Sequence, residues 1–567
     1  MNEFQYERLM NMNWAKMVNV DAGREEEKTY LGKVDAIKEW NTSPDTARRL
    51  FIHTKAYQDF IEEDALILLG RTGTGKTAIL QSIEDGVTTS NIEIYKYVLS
   101  MKFDKILKNL ISFDEIADNT NPRIAVEDSI LGILNITVMR GLIEKYKIKN
   151  GLGKVEDYLT KNKLLGKSKI IDKFIGTAAV IADKVDGKIG DVANTLVGLS
   201  QINSIFFDAS YSDALEEMRT FLHDKNMLLL IDNSDEYDMR DVRTVVILKA
   251  LISKCFEFYN NNSSWNIYVK LALPSEIYTH ILQEIPGKQR GNTVVIKWHY
   301  NDLVGFIAKR IAYYVSKEEN RKKIDFSDVP DFESYLKNGE CKKIVSCFLP
   351  SMCRTSLGYM FDTMAYCIKH TLKKPRELLF IFNALFNRMV NYGDYRYFIN
   401  NPDKIRDVLH STQEEMIGTA LSMFNNFYPG IEEVCASVLK NQRFIFKGKD
   451  ISDQLKEGAK YAAKNGYGYG EDEIKRALIE SGLIGLAGDC DTIKPGSRLE
   501  NTQEIQVINT RFEYQVKGNL KFDRNDIYVI HPMCYEHFTC DLVQNVLVYA
   551  DKNSDNMDII HTILKVE

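Results

Sequence analysis

Residues 65–79 read ALILLGRTGTGKTAI: a short apolar run, then G-x-x-x-x-G-K-T from Gly70 to Thr77, then the start of an apolar-periodic helix. No other stretch of the chain constrains its fold as much. A strand that turns through such a loop into a helix is the opening unit of a parallel α/β sheet, and the loop is built to hold phosphate. Glycines at 70, 73 and 75 let consecutive N–H groups turn inward, and the helix that follows adds its positive dipole end. Lys76 is placed to reach β- and γ-phosphates, and Thr77 offers a hydroxyl to Mg²⁺. The candidate nucleotide-binding set is therefore Gly70, Arg71, Thr72, Gly73, Thr74, Gly75, Lys76, Thr77 and Ala78. The loop alone does not choose between adenine and guanine.

The chain has 567 residues, too many for one core. With 44% hydrophobic and 27% charged residues it has the composition of a soluble globular protein. A net charge of −6 provides no global attraction to nucleic acid, so any such contact needs a local patch. The nine cysteines form no C-x-x-C pair, which argues against a zinc site or a disulfide framework and suggests reduced thiols in the cytoplasm. The charged N-terminus lacks the apolar segment of a signal peptide, and no apolar run reaches membrane-spanning length, so no membrane partner is expected.

Strand and helix patterns alternate from 64 to 316. Strands are expected at 64–70, 91–99, 227–231, 266–273 and 294–298, and helices at 76–84, 126–146, 241–259 and 302–315. This predicts an α/β fold with a parallel sheet and helices on both faces. Between 141 and 190 lie eleven lysines, no arginine and six acidic residues. The segment 147–207 is read as a charged helical insertion whose lysines either contact phosphate or form a solvated face. After 317 the pattern is helical to about 442, and 472–484 and 505–531 give a further helix and two strand-like runs.

The buried strand 227–231 ends in Asp232, the carboxylate a phosphate-loop enzyme uses to hold Mg²⁺ opposite the loop threonine. Asp235 and Glu236 follow at the spacing of a water-activating base, with no choice between them. The strand 266–273 is expected beside the loop strand, where Ser275 or Glu276 would face the γ-phosphate unless Ser275 merely caps a helix. Pro375 and Arg376 open an apolar-periodic helix from which Arg376 can project to the transferred phosphoryl group. Arg240, Arg243, Arg290, Arg310 and Arg354 are alternative fingers.

Together, Gly70–Thr77 and the run from Asp232 to Glu236 resemble the STAND branch of AAA+-related ATPases. Lys297 to Leu303, and His370, Thr371, Pro375, Arg376, Glu377 and Leu378, are similar to the pre-lid and lid motifs of those proteins. The stretches 480–486, 512–514 and 529–532 resemble a winged helix. The resemblance implies ATP and Mg²⁺ as ligands and a division into an N-terminal helical arm (1–45), a P-loop ATPase domain (46–316), a helical lid domain (317–442) and a small α+β winged-helix-like domain (443–567). It implies a switch or motor that couples nucleotide state to assembly with itself, an effector protein or DNA, often in antiphage defence or mobile elements. Two alternatives stand beside it: an ATP-licensed DNA-binding protein, and a non-hydrolysing scaffold. Asn233 and Ser234 depart from the family's small, glycine-containing pair, and the insertion has no counterpart there.

Overall fold

The computed structural model describes residues 29–62, 65–86, 95–103, 122–162, 164–166, 209–232, 239–281, 293–321, 324–326, 328–355, 360–493, 505–512, 520–542 and 546–550. Asp235, Glu236 and most of the expected insertion lie outside these residues.

Five apolar runs form the first sheet: β1 (Ile67–Gly70), β2 (Tyr97–Lys102), β3 (Met227–Asp232), β4 (Ile267–Pro274) and β5 (Thr293–Val295). Their spatial order is β2-β3-β4-β1-β5, and every neighbouring pair is parallel. The molecule is thus α/β with an all-parallel sheet, and β4 lies beside β1 as its sequence position suggested. Of the run expected at 91–99, residues 91–94 lie outside the described residues, and the described strand begins at 97 and extends to 102. Its ladder begins where the N–H groups of Lys96 and Tyr97 reach the Asn226 carbonyl.

Helices α1 (Ala36–Thr42), α2 (Pro44–Leu50), α3 (Lys55–Glu62), α4 (Lys76–Glu84), α5 (Pro122–Glu144), α6 (Gly153–Lys161), α7 (Ala209–Leu222), α8 (Val242–Asn262), α9 (Ser275–Ile281) and α10 (Tyr300–Ser316) accompany this sheet. The period-2 alternation of the strands sorts their side chains onto two faces. Leu68, Leu228, Leu230 and Ala272 pack with Phe60 of α3 and with Ile79, Leu80 and Ile83 of α4. Ile67, Leu69, Leu229, Ile231 and Leu271 belong to the opposite core, with α5, α8 and Ile277 of α9. Each of the three apolar α4 side chains contributes roughly 2 kcal/mol by burial. The helices after β1 and β4 therefore lie on opposite faces, and the crevice between the carboxyl ends of these two strands is the switch point where ligands of such sheets bind.

Beyond Ser316 the described chain is mostly helical to Leu439, with a short antiparallel ladder of β6 (Met352–Arg354) and β7 (Met360–Asp362) inside it. The helices that matter below are α11 (Pro375–Tyr392) and α12 (Lys404–Asn425). A second sheet follows, ordered β12-β10-β9-β11-β8, from β8 (Ile445–Lys447), β9 (Ile484–Ile493), β10 (Ile505–Arg511), β11 (Ile527–Ile530) and β12 (Val546–Ala550). Helix α13 (Glu471–Glu480) leads into β9. It stops short of the expected 484 because Gly482, at φ 82°, breaks the helical path. Among the described residues no helix is long and apolar enough to cross a membrane.

Candidate functional site

The loop between β1 and α4 closes on itself before any ligand is considered. The Thr74 N–H and hydroxyl both donate to the Arg71 carbonyl, at 3.1 and 2.7 Å. Gly73 and Gly75 take φ values of 87° and 98°, and Gly75 is the left-handed N-cap of α4. Only glycine adopts such angles without strain. Lys76 Nζ donates to the Gly70 and Arg71 carbonyls at 2.9 and 3.4 Å, so the ammonium lies curled under the loop.

Asp232, at the end of β3, is level in the ladder with Lys102 of β2 and Ala272 of β4. Thr77 Oγ1 donates to Asp232 Oδ2 at 3.1 Å. A hydroxyl and a carboxylate, 155 residues apart in sequence, thus meet at the mouth of the loop. They are hard oxygen ligands of the kind Mg²⁺ takes, each leaving room for water. The donor set fits that ion.

A cavity of ≈ 440 Å³ opens over this point. One wall is the loop from Gly73 to Ile79, with Asp232 and Lys102. The rest of the lining is mixed: Trp40, Phe51, Ile52, Phe306, Pro375 and Leu379 are apolar, and Lys33, Asp35, Glu39, Arg310 and Arg376 are charged. Arg376 packs on the loop itself: a Cβ built on Gly73 would lie 3.2 Å from Arg376 Cβ and 3.3 Å from its Cδ. The structure therefore gathers Gly73 to Ala78, Asp232 and Arg376 around one cavity, and of the expected binding set Gly70, Arg71 and Thr72 do not line it. Of the alternative fingers, Arg310 is held by Glu39 in two bonds of 2.7 and 2.9 Å and by the Leu31 carbonyl. Arg240 and Arg354 are exposed.

Glu276, expected to face the γ-phosphate, is not among the cavity-lining residues and is buried against Arg71 and Thr72. Its Oε1 accepts from Arg71 Nε at 3.3 Å and from the Thr72 N–H at 3.4 Å. Burial pushes its carboxyl up, but the charges of Arg71, Lys76 and Lys374 outweigh burial and hold it below the usual range. Arg71 Nη2 reaches further, donating to the carbonyls of Glu480 and Ser481 at 3.0 and 2.9 Å. These carbonyls close α13, so a guanidinium from the glycine loop caps a helix more than 400 residues away. Lys374 and Glu377, each 2% exposed, form a second buried ion pair nearby at 3.2 Å.

Trp40, Phe51, Lys102 and Trp298 are the site residues that sequence reasoning did not assign. Trp298 lay within a quoted motif, but nothing in the motif said what its indole does. Trp40 and Phe51 carry no local signal, because their role comes from α1 and the end of α2 folding back over the cavity. The sequence matches no protein-family model and, at a significant level, no curated protein.

Proposed function

We propose that this chain is a Mg²⁺-dependent ATPase of the switch type, in which nucleotide state governs how the C-terminal part sits on the phosphate loop and so governs assembly with itself or an effector. The observation that carries the reading is the 3.1 Å contact between Thr77 and Asp232 at the mouth of a glycine loop that opens α4. The cavity above it has apolar side chains against which a purine could pack. ATP, not GTP, is the nucleotide that the resemblance implies. Lys76 and the N–H groups that open α4 would grip the phosphates, and bound Mg²⁺ would offset the charge developing on them. Arg376 is positioned to neutralise the transferred phosphoryl group, and Asp235 or Glu236 would activate water.

The helical region 317–442 would act as a lid and 443–567 as a winged-helix-like domain. The Arg71 cap on α13 supports coupling between loop and C-terminal part. Glu471, Asp472 and Glu473 in the first turn of α13 would repel a phosphate backbone, which favours the switch reading over DNA loading. Measurement of Mg²⁺-dependent ATP hydrolysis tests the proposal. Lys76→Ala and Asp232→Ala should each lower turnover at least a hundredfold, on the order of a lost electrostatic group in a phosphoryl-transfer site. Wild-type turnover in either variant would end the reading.

A further inference from the structure

The indole of Trp298 donates from Nε1 to the Thr74 carbonyl at 2.9 Å. Thr74 is the residue before the left-handed Gly75. In a planar trans peptide the C=O and the following N–H point in opposite directions, and none of the described peptides is cis. A carbonyl turned out toward Trp298 therefore turns the Gly75 N–H inward, away from the indole. Among the described residues that N–H has no protein acceptor. It stands at the N-terminus of α4, beside those of Lys76 and Thr77. Nothing in the loop itself holds this peptide, because glycine accepts both orientations at little cost. A flip would present a carbonyl oxygen where a phosphate oxygen must sit.

From this geometry we infer that Trp298 is a positioning residue: its N–H locks the 74–75 peptide so that Gly75 is a preorganised phosphate donor. The indole is itself fixed. Ile296, two residues earlier, donates its N–H to the Leu69 carbonyl at 2.8 Å, which ties the segment to the loop strand. Phe306 of α10 meets the ring edge to face, at 5.8 Å and 71°. The bond thus runs from the sheet edge and α10 to a loop peptide that glycine leaves free to turn. This inference rests on the phosphate-loop reading and assigns a residue to it that the loop motif does not contain.

Calorimetric binding to the full chain tests it, with Mg²⁺–ADP and inorganic pyrophosphate as separate probes. Trp298→Phe keeps the aromatic packing and removes the donor. It should weaken both probes about tenfold, the effect of one lost orienting hydrogen bond, with an unchanged melting temperature. A wall residue for the base would weaken ADP and leave pyrophosphate alone, and that result would overturn the inference. So would affinities within twofold of wild type for both probes. Wild-type protein that binds neither probe would overturn the phosphate-loop reading as well. If Trp298→Phe does not fold, Phe306→Leu removes the ring that steadies the indole. Pyrophosphate affinity should then fall several-fold, and unchanged affinity would overturn the inference.

Discussion

Gly73 shows how much one missing side chain decides at this site. Its φ of 87° is costly for any L-residue, and a Cβ there would lie tight against Arg376, 3.2 Å from its Cβ. Gly73→Ala should destabilise the fold by about 1–2 kcal/mol through backbone strain. It should also crowd Arg376 by a few tenths of an ångström and, if the chain hydrolyses ATP as proposed, slow that turnover. Arg376→Ala should slow turnover while leaving the urea midpoint nearly unchanged, so the pair separates strain from chemistry. Equal midpoints for Gly73→Ala and wild type would contradict the packing described. At this scale the sequence was informative wherever the chemistry is consecutive: eight neighbouring residues spell the loop. Asp232 was legible too, since an apolar strand ending in a carboxylate marks the sheet edge where β1 also ends. Trp298 and Thr74 lie 224 positions apart, and no local pattern announces an indole N–H aimed at one carbonyl.

Among the elements, the segment 29–42 does most to shape the cavity while making no part of the sheet. Leu31 donates its N–H to Asn383 of α11 at 2.8 Å and lends its carbonyl to Arg310 of α10. Asp35 caps α1, Trp40 turns into the cavity wall, and Glu39 takes the fork of Arg310. A bidentate pair this buried is costly to break from one side, because the remaining charge is left in a low-dielectric site. Glu39→Ala should therefore cost about 3 kcal/mol of stability. Because the same segment lines the cavity, KM for ATP should rise more than kcat falls on the proposed ATPase reading. Adding Arg310→Met should recover part of the lost stability, and a double variant less stable than Glu39→Ala would argue against the pair. The start of α2 carries a local signal, since Pro44 stands at its first helical position. Strand β9 does not. Its sequence IGLAGDCDTI has two glycines and two aspartates, residues that weaken strand propensity, and its ladder with β10 supplies what local preference lacks.

Across the whole molecule, the glycine loop, the helical region and the C-terminal sheet meet at a buried junction. His370, before α11, donates from Nδ1 to the Tyr366 carbonyl at 2.8 Å, and His531, after β11, accepts the Met533 N–H at its Nδ1 at 3.2 Å. Both rings are neutral for the same first reason, burial. Lys369 and His410 add to the effect at His370, which falls to about 3, and His370, Lys369 and Arg71 add to it at His531, which falls well below its ordinary value. Unfolding returns both to water, where a histidine takes up its proton near pH 6.5. Below that pH the unfolded chain binds protons that the folded chain refuses, so stability is complete above about 6.5 and declines as pH falls toward 3. Each such histidine contributes a slope of about 1.4 kcal/mol per pH unit inside that window. Urea midpoints should hold steady from pH 8 to 7 and drop steeply between 6.5 and 5, before most carboxylates titrate. His370→Gln with His531→Gln should lower stability at neutral pH yet flatten the acid slope, because glutamine has no proton to gain. An unflattened slope in the double variant would place the acid sensitivity elsewhere than at this junction.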